Sequence, residues 1–427
     1  MDEIKPDWTS LPHHILLFIA SFLPTPFDVS RLSAVSRLFR YLLPPPRPVI
    51  LKFPRSILTD TDFLTGTDLV FNYPINPKDN IYVFVESVVY AIKPIDKEAS
   101  PTPIWLVKVE ESKPGRVQIK DPLTKLWFKN LPKILPKSLN LLDYQVQEIT
   151  RSYSLVSLAV LGSGDDPNGI YKRHGSFHIK AVYTSDLDET DDGFAVMARF
   201  TGPMLSLWRN VDKKWSHINM GLAVPQYIWD FIYHNEKFYA VATTGFTLMV
   251  DSKSLTVTTF LDPPKSLKRS SILYFVEASG DLLLVARSDK FKDQEDFLMV
   301  FKLDEKKAEW VEMVDGEELK EKIIFLSDDE SSYCVSAREL PGCKGNSVYF
   351  VENKLVYFSA SLDGYPMKDA WGVFSFDDGK MVNLRDFPGY SNPFWPPPSW
   401  LQLEAVPHRM NTGDSKTPNK HNLFLCY

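Results

Sequence analysis

The chain has 427 residues, 44% of them hydrophobic and 24% charged, which excludes a disordered or fibrous protein and provides for a large core. Its net charge of -6 removes the global basic footprint that nucleic acid or an anionic membrane surface would require. With 32 prolines against 19 glycines, the usual order is inverted, so long uninterrupted helices are disfavoured.

The first 48 residues differ from the rest. Apolar Ile15, Ile19 and Phe22 recur at helical spacing, with Ser10 placed to cap the helix and Pro12 in its first turn; Pro24 and Pro26 stop it. A second helix is expected to start at Asp28 and to run through Val29, Leu32 and Val35 into Leu38, Phe39, Tyr41 and Leu42. Pro44, Pro45, Pro46 and Pro48 then form a stiff spacer. So small a module cannot cover its own apolar faces and should need a partner.

From 49 to about 405 the pattern changes to short β-like runs between turn residues: 81–85, 104–109, 177–183, 238–241, 273–277, 282–285, 297–303 and 348–351. The run from Leu273 to Val285 resembles that from Val348 to Phe358, and a third, weaker unit is expected between them. Three stretches, 210–215, 301–311 and 373–382, each read as a strand, a charged turn and a second strand, the last hairpin of a four-stranded unit. Units of about 40 to 50 residues with periodic aromatics point to a mainly β fold, a β-propeller of about six to eight blades. A pair of β-sandwiches is the alternative. The division is therefore 1–48 helical module and spacer, 49–405 propeller, and 406–427 a polar tail expected to be disordered.

No phosphate loop, nucleophile elbow or zinc-protease motif occurs. The glycine-rich stretch 162–169 reads as a surface turn, and the acidic runs 186–193 and 328–330 as solvated loops, since calcium-loop spacing fails. Cys334, Cys343 and Cys426 are an odd set without zinc spacing, and are expected to be free thiols. His234, in a turn, has no sequence-evident nucleophile beside it. No cofactor, no metal and no catalytic residue are therefore expected. The apolar stretch 15–23 is too short to cross a bilayer, and acids occupy the place of a leader's basic region, so a cytoplasmic and/or nuclear setting without membrane contact is expected.

Trp8, Leu11, Pro12, Ile15, Leu16, Ile19, Ala20, Leu23, Asp28, Val29, Leu32, Ala34, Val35, Ser36, Arg37 and Arg40 resemble an F-box in order and spacing, with Phe39 where plant members usually carry Trp. The remainder resembles the C-terminal domain of plant F-box proteins of the KIB type. That likeness rests on 229–241, 274–287, 297–303 with 310–312, 346–350 and 395–401. Glu236 stands where that family tends to have Gly, so a local difference in the turn is expected. The resemblance implies a non-catalytic substrate receptor of a cullin-based ubiquitin ligase of the SCF type. Its F-box would bind a Skp-type adaptor, and through it the cullin scaffold, while its propeller holds a protein target. Adaptor contact is assigned to Leu11, Pro12, Ile15, Leu16, Ile19, Leu23, Val29, Leu32 and Val35 as a helix-in-groove surface. Trp105, Trp208, Trp229 and Trp371 are considered for the mouth of the channel, against packing between blades. No target-binding residue is assigned, and direct nucleic-acid binding is not expected despite the small basic patch at 265–269. A catalytic or glycan-binding propeller and a ligase-independent scaffold are the competing readings.

Overall fold

A computed structural model describes residues 11–23, 29, 32–33, 36–43, 52–54, 81–95, 104–113, 116–124, 128, 135, 138–139, 143–157, 179–183, 194–199, 205–218, 227–251, 253–254, 256–268, 271–288, 297–313, 317–327, 331–351, 371–386, 392–401 and 423–424. Asp28, Val35, Cys426 and the stretches 162–169, 186–193 and 328–330 lie outside them.

Helix α1 (His13–Ser21) opens on Pro12 as its N-cap, with no side-chain cap. The sequence placed Pro12 inside the first turn; instead its carbonyl receives the amides of Ile15 and Leu16. Helix α2 (Arg37–Leu42) is separate from the helical backbone at Val29, Leu32 and Ser33. The continuous second helix is thus corrected. Ser36 is extended (φ -148°, ψ 163°) and its hydroxyl accepts the Phe39 amide at 3.0 Å, so a side-chain cap replaces the helical bond the backbone would have made. Leu16, Phe39 and Leu43 are buried together, with Ala20, Leu32 and Leu42 packed against them.

The rest is strand. The first and largest sheet contains β1 (Lys52–Pro54), β2 (Ile81–Pro94), β3 (Trp105–Lys113) and β4 (Arg116–Lys120). After a two-residue β5 (Ser138–Leu139), β6 (Tyr144–Ser157), β7 (Ile179–Tyr183), β8 (Ala195–Arg199), β9 (Leu205–Arg209) and β10 (Lys214–His217) complete it. Its order, β10-β9-β8-β7-β6-β2-β3-β4, makes it two four-stranded units fused where the long β6 pairs with both β2 and β7. The third unit is β11 (Ile228–His234), β12 (Lys237–Ala242), β13 (Thr247–Asp251) and β14 (Val257–Leu261). The fourth is β15 (Ile272–Ala278), β16 (Asp281–Arg287), β17 (Leu298–Asp304) and β18 (Glu309–Glu312). The fifth runs β20 (Tyr333–Ser336), β19 (Lys322–Phe325), β21 (Ser347–Val351), β22 (Trp371–Ser375), β23 (Lys380–Asn383).

Alternation along single strands shows how these units stack. In β12, Phe238, Ala240 and Ala242 pack toward the second unit, while Tyr239 and Val241 pack toward the fourth. In β21, Val348 and Phe350 face the fourth unit, and Tyr349 and Val351 face the first. Strands buried on both faces read as unbroken apolar runs, as the sequence has them. Apolar packing therefore passes from unit to unit and closes from the fifth to the first, giving a five-bladed propeller. The expected six to eight blades are corrected: dividing length by repeat ignored the two fourteen-residue strands β2 and β6 and the connections that carry no described strand. The expected third unit between 273–285 and 348–358 is also absent among the described residues, because β15 and β21 belong to adjacent blades. All three stretches read as final hairpins are outermost hairpins: β9–β10, β17–β18 and β22–β23. In the segment expected to be a disordered tail, β24 (Leu423–Phe424) pairs antiparallel with β5.

The Glu236 turn does not differ from its counterpart. Asn235 and Glu236 take φ of 45° and 63°, matching Ser279 and Gly280 at 56° and 86°. Both hairpins therefore use two consecutive left-handed residues. A glutamate there carries a steric cost that glycine lacks, so Glu236→Gly is expected to stabilise the protein by about 0.5–1 kcal/mol, read as a higher urea midpoint.

Candidate functional site

Helix α1 buries Leu16 and leaves several apolar side chains exposed. Phe18 and Phe22 are 61% and 70% exposed, and their rings meet edge to face at 4.7 Å. Ile15, Leu17, Leu38 and Tyr41 are exposed as well. Edge-to-face contact holds the two phenylalanines as one projecting ridge, and nothing in the described residues covers it.

The structure sorts the assigned residues. Pro12 and Ile15 are exposed; Leu11, Ile19, Leu23, Val29 and Leu32 are half-buried; Val35 lies outside the described residues. Leu16 is 1% exposed at the centre of the small core, so its assignment to the outer face is corrected. Leu32 packs against that core. Leu17, Phe18, Phe22, Leu38 and Tyr41 were missed. The signal was present: from Ile15 to Ala20 every residue is apolar, and a helix apolar all round must either be buried or be covered by a partner.

In the propeller, Trp105 and Trp371 are buried between the first and fifth blades and Trp208 is buried against Trp215, whereas Trp229 is 37% exposed beside the exposed Tyr227. The register slips between Ile228 and Asp230, so Trp229 is the extra residue of a β-bulge, which turns its side chain out of the stack. Arg199 of the neighbouring blade holds this bulge, donating from Nη1 to the carbonyls of Ile228 (2.5 Å) and Trp229 (2.9 Å). Next in sequence, the buried Asp230 accepts the amides of Phe231 (2.8 Å) and of Phe275 (2.7 Å), the latter on the innermost strand of the following blade. One side chain thereby ties two blades together.

Burial pushes the Cys334 thiol up to about 11 and the Cys343 thiol up to about 12, which keeps both protonated and poor nucleophiles at neutral pH. Among the described residues, no three His, Cys, Asp or Glu side chains converge as a metal set, and no helix is long and apolar enough to cross a membrane. In the basic patch, the Lys268 ammonium lies 4.5 Å over the Phe297 ring.

A family profile described as KIB1-4 beta-propeller matches residues 87–375, and one described as F-box-like matches residues 8–44. F-box protein SKIP23 of Arabidopsis thaliana is 26% identical over 432 residues, covering 93% of this chain and 96% of that protein. F-box protein At2g17036 of the same plant is 24% identical over 443 residues, covering 97% and 99%. Among solved structures, the WD40 β-propeller domain of Doa1 is similar at 10% identity and a TM-score of 0.25, over 53% of this chain and 85% of that one, too remote to argue from. A five-bladed propeller behind a helical segment with an uncovered apolar ridge is consistent with these two profile matches, and the chain belongs to the KIB1-4 β-propeller family, with an F-box-like segment at its N-terminal end.

Proposed function

We propose that this protein is the substrate-recognition subunit of an SCF-type cullin–RING ubiquitin ligase. Its F-box-like helices bind a Skp-type adaptor, which links it to the cullin scaffold, and its propeller holds a protein target. The role is one of proximity: two binding surfaces on one chain bring a target to a ubiquitin-conjugating enzyme, and no residue here performs bond chemistry. The proline-rich stretch 44–48 lies between the two parts in the sequence, and the action belongs in the cytoplasm and/or nucleus.

The observation that carries this reading is the uncovered Phe18–Phe22 ridge on a segment that matches an F-box profile. Among the described residues the buried core of this segment is small, Leu16, Phe39 and Leu43, which fits a module that displays an apolar face to a partner. Mixing the purified chain with a recombinant Skp-type adaptor should give a one-to-one complex on size exclusion. Leu11→Ala with Pro12→Ala should abolish co-elution without changing the propeller's circular dichroism; co-elution unaffected by that pair would count against the assigned face.

A further inference from the structure

Where β11 begins, two large aromatic side chains stand in solvent, Tyr227 at 65% exposure and Trp229 at 37%. The bulge sends the Trp229 side chain out of the blade stack, while the main chain around it is fixed twice: Arg199 donates to the carbonyls of Ile228 and Trp229, and Asp230 accepts the amides of Phe231 and Phe275. A bulge re-aims a side chain by giving up regular ladder pairing, so an aromatic held outward on so firmly fixed a backbone is placed for contact rather than for packing.

The basic stretch beginning at Lys265 comes to the same place. Strands β11 and β15 both start at this end of the propeller, the β12–β13 turn closes there, and the connection from β14 to β15 crosses it. The contacts run from one segment to the next. The Tyr227 carbonyl accepts the Thr243 amide at 2.8 Å, and two residues on, Gly245 takes φ of 85° against the side chains of Pro263 and Leu267, which leave no room for a Cβ. Lys268 follows Leu267; its ammonium is held 4.5 Å over the Phe297 ring, and its carbonyl accepts the Ser271 hydroxyl at 2.6 Å. Lys265 and Lys268 are exposed, and among the described residues neither is in an ion pair. Of the carboxylates bordering this connection, Asp262 is exposed and Glu312 already accepts the Ser266 hydroxyl. An ammonium seated on a ring face is positioned without being neutralised, so it still attracts an anion.

We propose that Tyr227, Trp229, Lys265 and Lys268 form the docking surface for a segment of the target protein in which an apolar side chain is followed by aspartates or glutamates. The apolar side chain lies on the Trp229 and Tyr227 rings, and the carboxylates lie on the two ammonium groups. Charge complementarity selects an acidic partner, and the two rings supply the apolar centre that charge alone lacks. Nucleic acid fits less well, since two ammonium groups on a chain of net charge -6 offer few phosphate contacts. This inference rests on the propeller being the target-holding part.

The test uses the full chain and a fluorescein-labelled nonapeptide with one phenylalanine followed by glutamates, alongside its lysine counterpart and an oligouridylate of equal length, read by anisotropy at low salt. The glutamate peptide should bind and the other two should not. Trp229→Ala should weaken binding by about tenfold or more, as expected for a central aromatic anchor. Lys265→Glu with Lys268→Glu should abolish it; both positions are exposed, which covers the case in which the Trp229 variant disturbs the bulge. Lys306→Glu with Lys307→Glu, the same change in charge on the exposed β17–β18 turn at the other end of the fourth blade, should leave binding unchanged. No binding of the glutamate peptide, equal weakening by the turn pair, or tighter binding of the oligouridylate overturns the proposal. So does a dimer of the unaltered chain that Trp229→Ala dissolves, since the rings would then belong to a second copy. Adaptor co-elution is measured on each sample: adaptor retained with peptide binding absent defeats the docking surface alone, while adaptor never bound defeats the receptor reading beneath it.

Discussion

Phe18→Asp together with Phe22→Asp is expected to reduce adaptor affinity at least a hundredfold while leaving the melting of the propeller unchanged. Phe18 on α1 and Phe22 at its C-cap are 61% and 70% exposed and touch one another, so an adaptor groove that covers one must desolvate both. Central aromatic anchors at interfaces are each worth about 2 kcal/mol or more, and a buried carboxylate adds a desolvation penalty. Leu16→Ala gives the necessary contrast. It removes a 1% exposed side chain packed with Phe39 and Leu43, so it should unfold the helical module and lose the adaptor through structure, with a drop in helical circular dichroism that the ridge variant does not show. Isothermal titration with the purified adaptor, alongside circular dichroism, separates the two.

The largest single effect on stability should come from Asp230→Ala. That substitution removes the carboxylate that accepts the buried Phe231 and Phe275 amides, at about 1–3 kcal/mol each, and cuts the tie between the innermost strands of the third and fourth blades. A loss of about 3–5 kcal/mol is expected, read as a lower urea midpoint. Asp230→Asn keeps one carbonyl oxygen and should lose roughly half as much. An unchanged midpoint for the alanine variant would remove the blade-to-blade tie from this account.

Local patterns in the sequence carried most of the secondary structure, because each rests on neighbours in the chain. The runs 273–277 and 282–285 are β15 and β16, and the charged turns at 210–215, 301–311 and 373–382 close outer hairpins. What failed depended on closure in space. Blade number follows from which sheets pack face to face, and no periodicity reports that the fifth packs on the first. Whether Leu16 or Phe18 points inward depends on where α2 lies, and α2 in turn depends on Ser36 leaving the helix to cap it. The propeller's polar sites were also hidden. Ser87, Glu110 and Lys120 come from three strands to form a buried cluster, with Glu110 Oε2 at 2.9 Å from the Ser87 hydroxyl and 2.6 Å from the Lys120 ammonium. His234, Glu277 and Glu305 likewise meet only across two blades. Trp229 was considered with three other tryptophans, and only the bulge at its position distinguishes it.

The same limit applies to the closing Pro396-Pro397-Pro398 segment, whose role no local pattern shows. In the structure its flanking aromatics pack on the first blade, Trp395 at 4.6 Å from Phe128 and Trp400 at 5.6 Å from Tyr144. Pro393 accepts the Leu106 amide at 2.6 Å. The segment therefore fastens the end of the fifth blade to the first.

Affinity capture from cells with the proteasome blocked, comparing the intact chain with the Phe18→Asp, Phe22→Asp variant, tests the receptor account most directly. It predicts that a Skp-type adaptor and a cullin accompany the intact chain and vanish from the variant, while a target protein stays with both. Adaptor and cullin captured equally by both chains, or by neither, would contradict it.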